Sequence, residues 1–513
     1  MGSPQVASIT LNGEALRLDE VAAVARGGVH VGLAAGAVRG VERSHAVVQR
    51  ILKTGRRVYG VNTGFGHLKD IPIPDDRLEE LQLNLIHSHC AGVGAPLPPE
   101  VVRTMMLLRA HVLARGYSGV RPVVIETLLG HLNADLLPVI PEKGSVGASG
   151  DLAPLSHLTL ALLGEGEVTL RGERMPASGA LRAAGIEPLR LGPKEGLALI
   201  NGTQMTTAVG LLALLEAEAV ATAADIAGAC SVEALRGSHR PFQERIQKLR
   251  PHPGQAACAA NMRVLLADSE IERSHAACGR VQDAYSLRCI PQVHGAARDV
   301  VRFVRTVLET EVNSVTDNPL VFPEEDDLVS GGNFHAESPA LALDALAIAA
   351  AEIASISERR IERLMNPSLS GLPPFLTRNP GVNSGLMMAH VTAASLVSEN
   401  KVLCHPAGVD SISTEAAQED HVSMGPIAAR KARQVVEHAR LVVAIETLAA
   451  CQALDLGGGR PGRGVEAAKR AVREVVPFME ADRVLDADIA KLDRLLREGT
   501  LPRAVASVCG ALR

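Results

Sequence analysis

Aromatic side chains are scarce in this chain, with three Tyr, seven Phe and no Trp among 513 residues. That scarcity excludes the stacking platforms on which unpaired bases or sugars are held. A basic excess is also missing: 52 Lys and Arg face 57 Asp and Glu, for a net charge of −5. No cation surplus is available to neutralise phosphates, which argues against a nucleic-acid partner. The cysteines lack any CxxC pair; Cys90, Cys230, Cys258, Cys278, Cys289, Cys404, Cys451 and Cys509 are scattered. They read as reduced thiols, neither a disulfide framework nor a zinc site. No stretch reaches 18 uncharged apolar residues, and the most apolar one, from Ala340, is broken by Asp344 and Glu352. The first 30 residues carry Glu14, Asp19 and Glu20 and have no basic start followed by an apolar run. These absences predict a cytoplasmic protein with no membrane segment.

With so few aromatics, the core must be Leu, Val, Ile and Ala, which suits closely packed helices. At ~150 residues per domain the length predicts two to four domains, or one large elongated one. Residues 296–318, 340–366, 386–405 and 427–456 contain neither Gly nor Pro and are predicted helices. The last would span ~45 Å. Its Ala428, Ala432, Val435, Ala439 and Val442 form one stripe, with Arg430, Arg433, Glu437 and Arg440 off it. Residues 340–356 are apolar nearly all round, as the centre of a bundle or a subunit interface requires. A shorter helix is expected over 101–115, with Val101, Met105, Leu108 and Val112 on one face and Gly116 as its stop. A hairpin is expected near 168–175. The expected organisation is a mixed N-terminal lobe (1–200), a long-helix core (201–456) and a small helical cap (457–513).

The most informative segment is Gly144-Ser145-Val146-Gly147-Ala148-Ser149-Gly150-Asp151-Leu152-Ala153-Pro154. Three glycines within seven residues predict tight or left-handed backbone. Inside it, Ala148-Ser149-Gly150 can cyclise: the Gly150 nitrogen attacks the Ala148 carbonyl carbon, whose oxygen leaves as one water, and loss of the Ser149 hydroxyl as a second water leaves an electrophilic methylidene. Alone, the tripeptide would be an ordinary glycine-rich turn, and the GxxxxGK[ST] pattern of a phosphate cradle is missing.

The surrounding sequence resembles the aromatic amino-acid ammonia-lyases, whose Ala-Ser-Gly becomes 4-methylidene-imidazol-5-one (MIO). The resemblance runs from about residue 8 to 456. It includes Tyr59-Gly60-Val61-Asn62-Thr63-Gly64-Phe65-Gly66, Asn201-Gly202-Thr203-Gln204 and Gln282-Asp283-Ala284-Tyr285-Ser286-Leu287-Arg288. It continues in Asp317-Asn318-Pro319-Leu320, Gly331-Gly332-Asn333-Phe334-His335 and Gln418-Glu419-Asp420-His421-Val422-Ser423-Met424. Within the family, Ser88-His89 resembles the pair found in members that act on histidine, and Glu419 stands where phenylalanine and tyrosine enzymes usually carry Gln.

The resemblance implies a mostly α fold of the fumarase/aspartase-like type, with a long-helix core shared by four chains and active sites built from three of them. It implies MIO formed from Ala148, Ser149 and Gly150, with no external cofactor and no metal. Tyr59 would take the substrate β-proton, Arg288 would grip the carboxylate, and Asn201 and Gln282 would hydrogen-bond the MIO ring or the substrate. Tyr285 and Phe334 would line the site, and His89 and Glu419 would address an imidazole. Whether the substrate amine or its ring attacks the methylidene stays open. The expected reaction is L-histidine to trans-urocanate plus ammonia, the first step of histidine degradation. A tyrosine ammonia-lyase or aminomutase is the alternative; a non-enzymatic relative would need the intact motifs to be idle, and a metal-dependent hydrolase using the 17 histidines would predict chelator sensitivity, which is not expected. His87-x-His89-Cys90 is not a metal set, because i and i+2 diverge on a helix. His157, His294, His335 and His421 are read as structural or as residues that support the site from behind its contact residues. The chain departs from the family pattern at His67, Ala284, Ile290 and Ala417.

Overall fold

The computed structural model describes residues 8–275, 279 and 281–513. Cys278, one of the eight scattered cysteines, lies outside them; the other seven are free thiols. The chain divides into two compact units, each gathered from distant segments. The first comprises Met1–Leu212, Thr306–Leu343 and Pro406–Arg430; the second comprises Ala213–Arg305, Asp344–His405 and Lys431–Arg513.

The predicted helices are present as Ile290–Val312, Glu337–Met365, Met387–Leu403 and Gly425–Gly457. The stripe on the last is fully buried from Ala428 through Val442. Arg440, expected off the stripe, is buried as well, because Asp493 accepts from its guanidinium at 2.6 Å and Glu216 pairs with it. A fifth long helix, Gln204–Ala234, escaped the pattern because Gly210 and Gly228 interrupt it. Those glycines are close-packing positions: a Cβ on Gly210 would stand 2.7 Å from Leu343, and one on Gly228 3.2 Å from Ile290. Gln204–Ala234 and Glu337–Met365 are long and apolar enough to cross a membrane by length and composition. However, 67% of each apolar window is buried inside the fold, as in a core helix. Leu341 and Ile348 remain exposed on Glu337–Met365.

In the first unit, Pro99–Ala114 begins on a proline whose fixed φ suits a first helical turn. Thirteen of its sixteen residues are buried, Arg109 among them. Helices Leu78–His89, Leu152–Leu162 and Glu195–Ile200 pack on one another. The expected hairpin is Glu167–Leu170 with Glu173–Pro176, joined by Leu136–Pro138 into an antiparallel sheet. Short pairs at Ser8–Leu11 with His30–Leu33 and Leu320–Phe322 with Asp327–Val329 gave too few residues for a periodic signal.

Candidate active site

The Ala148-Ser149-Gly150 segment lies between two anchors. On one side Met424 N–H donates to the Val146 carbonyl at 2.8 Å, and the Ser423 hydroxyl donates to the Gly147 carbonyl at 3.0 Å. On the other, Asp151 N–H donates to the Gly202 carbonyl at 2.7 Å. Gly150 has φ +75°, and a Cβ there would stand 2.2 Å from the Gly202 oxygen, so only glycine fits this close approach. Asp151 is fully buried and accepts from the Thr206 N–H and hydroxyl at 2.8 and 2.9 Å. Burial pushes its carboxyl up to about 6 despite those bonds.

Asn201 ends the helix Glu195–Ile200 and donates from Nδ2 to the Ser149 carbonyl oxygen at 3.0 Å. Its own carbonyl accepts from Arg109 at 2.9 Å, as does Gln204 Oε1. A third bond runs from Arg109 to the Ala198 carbonyl. Burying a guanidinium against carbonyls costs several kcal/mol unless such bonds satisfy it, so Arg109 and the Asn201–Gly202 backbone hold each other in place. The Ser149 hydroxyl donates to Glu419 Oε1 at 2.7 Å, while Glu419 Oε2 accepts from the Thr414 hydroxyl at 2.7 Å.

Tyr59 is largely buried, edge-on to Phe65 with ring centroids 6.4 Å apart. Its hydroxyl oxygen accepts from the Gly66 N–H at 3.3 Å. Burial raises its pKa, Glu415 and Glu419 raise it further, and the Gly66 N–H offsets part of that rise. A cavity of about 580 Å³ brings Tyr59, Ala148, Ser149, Asn201, Phe334 and Glu419 together. His335 and His421, expected to be structural or to support the site from behind, line it directly, with rings parallel at 5.8 Å. Arg57 and Glu415 line it too, and the motifs gave no sign of either.

His89 does not line this cavity. It closes the helix Leu78–His89, with Nδ1 3.0 Å from the Ser88 hydroxyl oxygen. Burial lowers its pKa, and the Glu419 charge acts in the opposite sense. Gln282, Tyr285 and Arg288 belong to the second unit and are not among the cavity's lining residues. There Arg288 donates to Gln282 Oε1 and to the Asp283 carbonyl, both at 3.1 Å, with its guanidinium 4.6 Å over the Tyr285 ring.

His87 pairs with Glu165 at 2.9 Å, and burial pushes the Cys90 thiol up to about 12. Among the described residues, one group has metal-like spacing: Asp225, Cys258 and His294. Asp225 already accepts from Arg298 at 2.6 Å, His294 at 2.7 Å, Asn261 at 2.8 Å and Cys258 at 3.1 Å. The Arg298 charge takes the place a cation would need, so this is a hydrogen-bonded node of the second unit.

The family described as aromatic amino acid lyase matches residues 16–474. A histidine ammonia-lyase of Anaeromyxobacter sp. (strain K) is 57% identical over 504 residues, covering 96% of this chain and 99% of the relative. The crystal structure of histidine ammonia-lyase from Trypanosoma cruzi superposes with a TM-score of 0.91 at 48% identity, covering 98% of this chain and 95% of that one. A tyrosine aminomutase from Streptomyces globisporus gives a TM-score of 0.92 at 38% identity, covering 99% and 100%.

Proposed function

The chain belongs to the aromatic amino acid lyase family, and from that premise we propose that it eliminates ammonia from L-histidine to give trans-urocanate. The observation that carries this reading is the convergence of Ser149, Asn201, Tyr59 and Glu419 on one cavity. The chain's higher identity to relatives named for histidine than to the tyrosine aminomutase supports the substrate.

The residues present fit an MIO group. Ring closure of Ala148-Ser149-Gly150 retains the Ser149 carbonyl as the ring oxygen, and the Asn201 amide already donates to that oxygen. Gly150 has no Cβ to block the approach of the Gly202 backbone. Once formed, the group supplies an electrophile for the substrate's amine or its ring.

The remaining steps fall to the chain's own side chains. Tyr59 takes the β-proton, and the Gly66 N–H on its oxygen favours the phenolate that this requires. Arg288 grips the substrate carboxylate with a planar fork that Lys could not reproduce. Gln282 and Tyr285 accompany it. They serve the cavity of a neighbouring copy in a homotetramer, an assembly that the exposed Leu341 and Ile348 support. Glu419 lines the cavity and offers the imidazole a polar partner, while His89, its pKa lowered by burial, acts from outside the lining through the Glu419 charge. A pocket of this kind rejects phenyl rings, which would leave those groups unpaired. No added cofactor or metal is needed, and the free thiols suit the cytoplasm.

The test is ammonia release from purified, metal-free protein given L-histidine and L-tyrosine separately. Release from histidine alone is expected. Release from tyrosine would keep the family and discard Ser88-His89 and Glu419 as the specificity determinants.

A further inference from the structure

Three consecutive non-glycine residues, Glu415, Ala416 and Ala417, have φ of +54°, +53° and +66°. Single L-residues visit this region at a cost, and runs of them are rare. The run is closed by the Thr414–Glu419 backbone pair, with bonds of 3.0 and 3.4 Å. It lies in the short turn just before Gln418-Glu419, at the edge of the cavity that holds Tyr59 and Ser149.

What this turn does is aim the Glu415 side chain at Gly66. A Cβ on Gly66 would stand 1.9 Å from Glu415 Oε1 and 2.2 Å from Oε2. The carboxylate therefore sits directly on the Gly66 backbone, whose N–H donates to the Tyr59 hydroxyl oxygen. The same carboxylate accepts no hydrogen bond among the described residues. A second tie between the two segments runs from Lys69 to the Gln418 side chain.

We propose that Glu415 is a positioning residue for Tyr59: its carboxylate clamps Gly66, keeps that N–H on the Tyr59 hydroxyl, and places a negative charge beside the phenol. The proposal rests on the reading of Tyr59 as the proton acceptor. The charged and titratable groups that face Glu415 are Glu419 on its own loop, His67 and Lys69 on the Gly66 turn, and Tyr59 itself. Arg57, Asp70, Asp420, His335 and His421 complete the charged lining of the cavity. The charge makes Tyr59 hold its proton more tightly when the cavity is empty. An incoming substrate ammonium opposes that charge, so the base becomes competent when it has something to deprotonate.

Glu415→Gln and Glu415→Ala separate the two effects in the assembled holoenzyme, because neither changes the backbone preference at the strained position as glycine would. The readouts are kcat and the pH profile of kcat/KM for L-histidine. Glu415→Gln keeps the shape and removes the charge, and the acidic limb is expected to move to lower pH by roughly half a unit. Glu415→Ala also removes the clamp, and kcat is expected to fall about tenfold as the base loses its orientation. An acidic limb unmoved in both variants overturns the proposal, because a merely structural side chain would leave it in place. Tyr59→Phe, measured alongside, separates the two readings. Near-wild-type turnover in Tyr59→Phe removes the proton acceptor and Glu415's role with it. An inactive Tyr59→Phe beside wild-type-like Glu415 variants removes the Glu415 role alone.

Discussion

The side-chain amide of Asn201 donates to the Ser149 carbonyl oxygen at 3.0 Å, and the buried Arg109 guanidinium fixes the Asn201 backbone from behind. A donor held this rigidly acts where charge develops during turnover rather than where substrate first lands. Asn201→Ala is therefore expected to lower kcat by about 10²–10³-fold with little change in KM. Steady-state kinetics with L-histidine check this. A raised KM at unchanged kcat would assign the bond to substrate binding alone.

Ser149 contributes the one hydroxyl whose loss completes the methylidene. Its donation to Glu419 at 2.7 Å and its place in the cavity wall involve the hydroxyl alone, and Ala occupies the same backbone position. Ser149→Ala is expected to fold and assemble normally and to lose nearly all turnover. By intact mass, the wild-type chain should be lighter than its encoded mass by two waters and the variant should not. Wild-type turnover in the variant would remove MIO from the account.

The motifs were legible as contiguous strings that carry the family resemblance, and Tyr59, Ala148, Ser149, Asn201, Gln418 and Glu419 from four of them line one cavity; Gln282, Tyr285 and Arg288, from an equally contiguous string, are not among its lining residues. The long helices were legible wherever Gly and Pro were absent. Gln204–Ala234 was hidden because its glycines serve packing against Leu343 and Ile290, a reason that resides in other segments. Arg440 misled for the same cause, since Asp493 and Glu216 are remote in sequence. His335 and His421 face the cavity through a contact 86 residues apart, which no local pattern encodes. Glu415 required the backbone itself, because nothing in Thr414-Glu415-Ala416-Ala417 signals three left-handed residues.

His89 offers a test of specificity that does not depend on the electrophile. It is not among the cavity's lining residues but feels the Glu419 charge, so its effect on an imidazole would pass through Glu419. His89→Leu is expected to reduce kcat/KM for L-histidine by about 10–100-fold. Thermal unfolding should shift little, since a half-buried polar ring is replaced by an apolar side chain. Kinetics with L-histidine and L-tyrosine, together with a melting curve, separate these outcomes. Unchanged histidine kinetics would transfer the specificity role to His335 and His421, which line the cavity directly.

Asp151 links the active-site segment to the acid stability of the first unit. Burial holds its folded pKa at about 6, above the ~3.9 of an unfolded Asp. The native chain therefore keeps a proton that the unfolded chain releases, and the stabilisation is fully present below about pH 4. It is lost as pH rises through 6, a change on the order of 3 kcal/mol for a shift of this size. Asp225 works in the opposite sense: burial raises its pKa, but Arg298, His294 and Asn261 overcome that and hold it below the usual range, so its stabilisation is lost as pH falls. Asp151→Asn keeps an acceptor for the Thr206 N–H and a donor for its hydroxyl, yet cannot titrate. Relative to wild type, the variant should gain stability steadily between pH 4 and 6 and then level off. Melting temperatures across that range, at one protein concentration, measure the difference. A constant offset would mean that Asp151 ionises in the folded state as freely as in the unfolded chain.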